Sequence, residues 1–177
     1  PVARIKRIFI RDDSVFHALL PSGPEHKVLM GMPREPTIFN SVNKVVDCKD
    51  VFMTHGGGSW LHGVVSIKKN SDDDGLKAIE AAFEGHTSMK HVWIVDDDID
   101  VTKPSAVEWA MATRFQADKD IVIKTGVKGS SLDPSANPET RGTVKVGFDC
   151  TIPLSRNRSD FSKTNPGMKV KLEEYLD

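Results

Sequence analysis

Cysteine is scarce: Cys48 and Cys150 are the only two in 177 residues. Two thiols cannot build a disulfide-stapled scaffold, and so low a count fits a reducing, cytoplasmic compartment. A Cys48–Cys150 bridge and two buried thiols are the alternatives, and two buried thiols are expected. Excess charge is missing as well. Lysine and arginine number 24 against 25 acids, a formal net charge of −1. That balance gives the chain no electrostatic pull toward nucleic acid or an anionic membrane. No apolar run approaches the roughly 20 residues that span a bilayer, so no transmembrane segment is expected. No signal-peptide pattern opens the chain, and it has no internal repeat or low-complexity tract.

What is present suits one globular domain. Hydrophobic residues make up 38% and charged residues 28%, ordinary values for a folded chain. At this length roughly 70% of the unfolded surface can be buried. Short apolar runs at 51–53, 60–68, 91–95, 121–123 and 144–148 read as strands, and a helix pattern lies between several of them. From Glu35, the spacing of Ile38, Val42, Val45 and Val46 predicts a helix. Ser71 with Asp74 resembles a capping box, followed by Leu76, Ile79 and Phe83 on one face and Gly85 as a left-handed cap. Pro104 opens a further helix, with Val107, Ala110, Met111 and Phe115 facing inward. Gly56-Gly57-Gly58 predicts a turn. Residues 4–20 read as two strands split by Asp12-Asp13, and Pro21-Ser22-Gly23-Pro24 breaks the chain. Residues 124–143 are expected to form a long loop. Val170, Leu172 and Tyr175-Leu176 suggest a short terminal helix. The alternation predicts the α/β class: a three-layer α/β/α sandwich around a small mixed sheet.

The most informative run is Asp96-Asp97-Asp98-Ile99-Asp100, directly behind Val92-Trp93-Ile94-Val95. A buried strand surfacing into carboxylates marks the edge where open α/β sheets place their sites. Four acids in five positions repel one another and need a counter-charge or solvation. Two readings follow. The acids hold a Mg²⁺ or Mn²⁺ ion, or they are structural, with one capping the next helix or accepting backbone N–H bonds and another pairing with Arg114.

Residues 95–114, VDDDIDVTKPSAVEWAMATR, resemble the C-terminal domain of the UbiD family, decarboxylases that use a prenylated flavin. Gly23-Pro24-Glu25-His26, Gly31, Glu35 and residues 63–68 resemble the family upstream; 120–123, 131–134 and 145–149 resemble it downstream. The resemblance implies a carboxy-lyase acting on an aromatic or α,β-unsaturated acid, a small-molecule substrate such as a polyprenyl-4-hydroxybenzoate of ubiquinone biosynthesis. It implies prenylated FMN and a divalent metal in the intact enzyme, with catalytic and metal residues in a preceding N-terminal half and none in this chain. The chain opens at Pro1 on a strand-like run and is therefore expected to be the C-terminal part of a longer enzyme, inactive alone and without cofactor of its own. The expected division is 1–22 as the end of a flavin-binding barrel, 23–153 as the UbiD-like domain and 154–177 as a polar tail. Its expected partners are that missing domain and further copies of itself.

By the same resemblance, His26, Met30 and Leu132 are the substrate-binding residues. His26 would hydrogen-bond a phenol or carboxylate or shuttle a proton; the plainer alternative is an exposed loop histidine. Met30 would be an apolar wall. Leu132 would close over the substrate and exclude water, or be an ordinary apolar loop residue. Asp133-Pro134 reads as turn chemistry. His55-Gly56-Gly57-Gly58 lacks the nucleophile elbow that would make it an oxyanion-hole motif. His62, His86 and His91 lack metal-ligand spacing and fit surface or helix-cap roles. Lys145 reads as a solvated lysine or a phosphate ligand. Other classes remain open: a metal-dependent nucleotide-sugar transferase using the Asp96–Asp100 cluster, or a non-catalytic assembly module.

Overall fold

The run 91–95 is apolar toward both sides, as a strand buried between two layers must be. In the computed structural model, which describes residues 2–164, it lies at the centre of a five-stranded sheet. The elements are α1 (Pro24–Gly31), a 3-10 turn (Met32–Arg34), α2 (Glu35–Val42), β1 (Asp47–Met53), β2 (His62–Lys68), α3 (Asp74–Gly85), β3 (His91–Asp96), α4 (Pro104–Arg114), β4 (Ile121–Lys128) and β5 (Gly142–Cys150). A second 3-10 turn spans Arg158–Phe161. The strand order is β1-β2-β3-β5-β4. The inner strands β2, β3 and β5 run parallel, and β1 and β4 pair antiparallel at the edges.

Alternation along the strands sends successive side chains to opposite faces. Val92 and Ile94 join Ile38, Val42, Ile79 and Phe83 in a core with α2 and α3. Val64, Val95 and Cys150 join Val107 and Ala110 in a second core under α4. The expected three layers around a mixed sheet are present. Among the described residues, no helix is long and apolar enough to cross a membrane.

Several expectations are corrected. The break at 21–24 is the start of α1, because Pro24 occupies a first-turn position where its missing N–H costs nothing. Residues 2–20 form neither helix nor strand. Asp12-Asp13 makes a turn, but among the described residues nothing covers the two flanking runs, and a lone hairpin is marginal in water. β4 continues to Lys128 and β5 begins at Gly142, so the loop is 129–141. Gly85 ends α3 without a left-handed cap. A Cβ there would meet Ile38 Cα at 2.8 Å, so close packing of α2 on α3 selects the glycine. The expected terminal helix at 170–176 lies outside the described residues.

Candidate functional site

His26 is half-buried in the first turns of α1, not in a loop. Its Nδ1 accepts the Ser22 N–H at 2.9 Å. With Nδ1 accepting, a neutral ring carries its proton on Nε2, which has no hydrogen-bond partner among the described residues. Ser22 holds the unusual φ of 62° that aims its amide at the ring. Met30 lies one turn further on, so the two residues share a helix face.

At the end of α1, Gly31 touches the next part of the site. A Cβ on Gly31 would stand 2.4 Å from the Ser59 carbonyl oxygen. Residues 54–61 form the expected glycine turn, with φ positive at Gly58 (71°) and Ser59 (52°). Beside it, the Arg34 guanidinium lies over the Trp60 ring, 5.1 Å from its centroid. The Trp60 indole N–H donates to Ser130 Oγ at 3.0 Å, which in turn accepts the Leu132 N–H at 3.1 Å. Thus α1, the 54–61 turn and loop 129–141 meet at the N-terminal ends of the parallel strands, and His26, Met30 and Leu132 are brought to that end. Leu132 is 54% exposed.

The loop holding Leu132 is tied down. Asp133 makes the expected turn, its Oδ1 accepting the Ser135 N–H at 3.0 Å, and it is also buried and paired with Lys90 at 2.8 Å. The partners are 43 positions apart, so no local pattern announces them. Lys145 is likewise buried, not solvated: its ammonium donates to the Thr87 carbonyl and sits 5.3 Å from the Phe83 ring centroid. His86 caps the C-terminus of α3, and its Nε2 bonds the Trp60 carbonyl oxygen at 3.0 Å. Burial pushes its pKa down to about 4. His62 and His91 form a half-buried pair at 2.9 Å, and burial lowers both.

The aspartate cluster occupies the opposite, C-terminal end of β3. Five residue steps of strand separate the ends, about 17 Å. Each acid has a partner. Arg114 Nη1 donates to Asp96 at 2.7 Å, and Arg114 grips Asp98 through two bonds of 2.8 and 2.6 Å. Asp96 also accepts the Ile152 N–H at 2.8 Å. Arg158 donates to Asp97 at 2.8 Å. Asp100 accepts from the Thr102 N–H and hydroxyl and pairs with Lys103 at 2.8 Å. Hydrogen bonds from Arg114 hold Asp98 below the usual carboxylate range, whereas burial raises Asp96. The Arg114 pairing of the structural reading is present. The chain segment after β5 roofs the crevice, where Ile152, Pro153, Leu154, Arg156 and Arg158 enclose about 120 Å³ together with Lys69 and Asp96.

A larger apolar cavity of about 470 Å³ lies between α4 and the β1–β3 half of the sheet, walled by Phe52, Val64, Trp93, Val107 and Met111. None of the three sequence candidates lines it. Trp93 Nε1 is buried there with no hydrogen-bond partner among the described residues.

The fold is an α/β sandwich domain in which α1, the 54–61 turn and loop 129–141 meet at one sheet end and the acids are locked by arginine and lysine at the other. The chain belongs to the UbiD family: the profile of the 3-octaprenyl-4-hydroxybenzoate carboxy-lyase C-terminal domain matches residues 27–150. It is 50% identical to anhydromevalonate phosphate decarboxylase of Methanocaldococcus jannaschii over 92% of this chain. It is 31% identical to gallate decarboxylase of Lactiplantibacillus plantarum over 99% of this chain and 38% of that protein. The UbiD-class enzyme HmfF from Pelotomaculum thermopropionicum, solved in complex with FMN, superposes with a TM-score of 0.85 at 38% identity, covering 94% of this chain and 38% of that one. The chain spans 39% of the length of the M. jannaschii relative.

Solved UbiD-class relatives are described with FMN or prenylated FMN. The clustered acids are engaged by arginine and lysine, and among the described residues no three of His, Cys, Asp and Glu are placed to share an ion. These residues do not form the metal's holder.

Proposed function

We propose that this chain is the C-terminal domain of a UbiD-type carboxy-lyase acting on anhydromevalonate phosphate or a closely related α,β-unsaturated phosphorylated acid. One observation carries the substrate: identity of 50% to the enzyme of that name against 31% to gallate decarboxylase. It favours a phosphorylated aliphatic acid over the polyprenyl-4-hydroxybenzoate first expected.

In this reading residues 1–22 lead from a flavin-binding N-terminal domain, 23–153 form the domain proper and 154–177 are a tail. Large apolar side chains at Val2, Ile5, Ile8, Phe9, Ile10, Val15, Phe16 and Leu20 are all at least 72% exposed, which suits a segment that packs on another domain. Prenylated FMN and its metal belong to that N-terminal domain, and bound flavin supplies the electron sink for loss of CO₂. His26 donates from Nε2 to the substrate carboxylate or carries the proton to the product. Met30 and Leu132 exclude water. The protein works in the cytoplasm as an oligomer.

The test is CO₂ release by the chain extended to the length of its relatives and reconstituted with flavin, given anhydromevalonate phosphate and gallate separately. Turnover of the phosphorylated acid, lost in His26→Ala, is expected. Preference for gallate would overturn the substrate, and turnover by the isolated 177 residues would overturn the division of labour.

A further inference from the structure

Leu132 is exposed on a loop that is otherwise firmly held, and both of its flanks are anchored. On one side Ser130 Oγ takes the Trp60 indole N–H and the Leu132 amide. On the other, Asp133 Oδ2 takes the Lys90 ammonium at 2.8 Å, and Asp133 Oδ1 takes the Ser135 N–H and O–H at 3.0 and 2.8 Å. Thr143 Oγ1 adds a contact to Asp133 Oδ2 at 3.3 Å. The anchors are themselves rooted in the sheet. Lys90 donates its N–H to Leu61 and accepts from Val146, and the Trp60 carbonyl is bound by His86. The loop closes on itself through Gly129 N–H to Arg141 O and Arg141 N–H to Asn137 O.

Such bracing is the opposite of what a mobile lid needs, since moving segments are drawn from weakly tied regions. It is what a fixed contact needs, because first-contact side chains work only when their support is rigid. We infer that Trp60, Lys90 and Asp133 are positioning residues that set the reach of Leu132 over the substrate, so that loop 129–141 is a rigid tooth and not a flap. The inference rests on the reading of Leu132 given under Proposed function.

Two measurements test it in the full-length enzyme. The first needs no substrate: hydrogen–deuterium exchange of peptides spanning 129–136. Protection in the parent comparable to the flanking strands is expected. Loss of that protection is expected in Lys90→Met and in Trp60→Phe, but not in Lys90→Arg, which keeps the charge pair. A loop exchanging freely in the parent overturns the inference. The second is a kinetic double-mutant cycle on whichever acid the enzyme decarboxylates. Leu132→Ala and Lys90→Met are each expected to lower kcat/KM about 10- to 100-fold, and the double variant to be no worse than Leu132→Ala alone. Additive losses would show that Lys90 acts independently of Leu132 and would overturn the inference. Parental kinetics in Leu132→Ala would instead overturn the role of Leu132, whatever the exchange data show.

Discussion

Arg114 is almost fully buried, and so is Asp96, so each depends on the other for its charge. Replacing Arg114 with methionine leaves Asp96 in the interior with only the Ile152 amide and the more distant Arg158, 3.6 Å away. The expected loss is about 3–5 kcal/mol in a urea denaturation. Asp98, half exposed, recovers its hydration and adds little. Arg114→Lys keeps the charge but not the two-pronged grip and should fall between. His86 gives the pH dependence. Its folded pKa is about 4 against an ordinary 6.5. Between those values the unfolded chain binds a proton that the folded chain refuses. Stability is therefore full above pH 6.5 and declines as the pH falls toward 4, by about 3 kcal/mol at most. Denaturation midpoints at pH 7 and 5 should differ, and His86→Gln should flatten the difference; His62 and His91, shifted in the same direction, keep part of it. Legibility differed among these residues. Arg114 follows the aspartates within one strand–helix unit, so its pairing could be read from sequence. Lys90–Asp133 and Trp60–Ser130 join residues 43 and 70 positions apart, where only the folded chain supplies the neighbour.

Helices and strands with clear periodicity were legible in the sequence: β3, α3 and α4 start within a residue or two of expectation because an apolar face or a proline marks them. The missed element is α1. Its run, Pro24 to Gly31, carries little amphipathic signal and begins with a proline that also reads as a break. Taking Pro24 as a break likewise places His26 in a loop, whereas it sits in the first turns of α1. Glycine was understood at the turn 56–58 but not inside elements, where the reason is contact between neighbours. In β5, a Cβ on Gly147 would stand 2.2 Å from Ile79 Cγ2 of α3. Gly147→Ala should cost about 1–3 kcal/mol. Combined with Ile79→Ala, which opens that space, the total loss in thermal unfolding should be smaller than the sum of the two single losses.

Across the whole molecule, the sheet separates two cores. Cys48 belongs to the one beneath α2 and α3, and Cys150 to the one beneath α4. No bridge can cross the sheet, as the preference for two free thiols anticipated. Burial pushes both thiols up to about 12. Neither should react with a thiol reagent at pH 8 while the protein is folded, and both should react once it is denatured in urea. The three-layer arrangement was readable from alternating strand and helix patterns. The end of the sheet holding the candidate site was not. The general tendency of α/β sheets points to the aspartate end, and the chain fills that crevice with its own residues 152–158.

That placement has a practical side. Ionic atmosphere at physiological strength fades over about 8 Å, roughly half the span from Asp96 to His91. Recharging the exposed Asp97, Asp98 or Asp100 is therefore expected to shift heat or solvent tolerance with little electrostatic effect at the far end of the sheet, whereas the buried Asp96 and Arg114 are screened much less. A protein engineer would have two independent handles on one small domain.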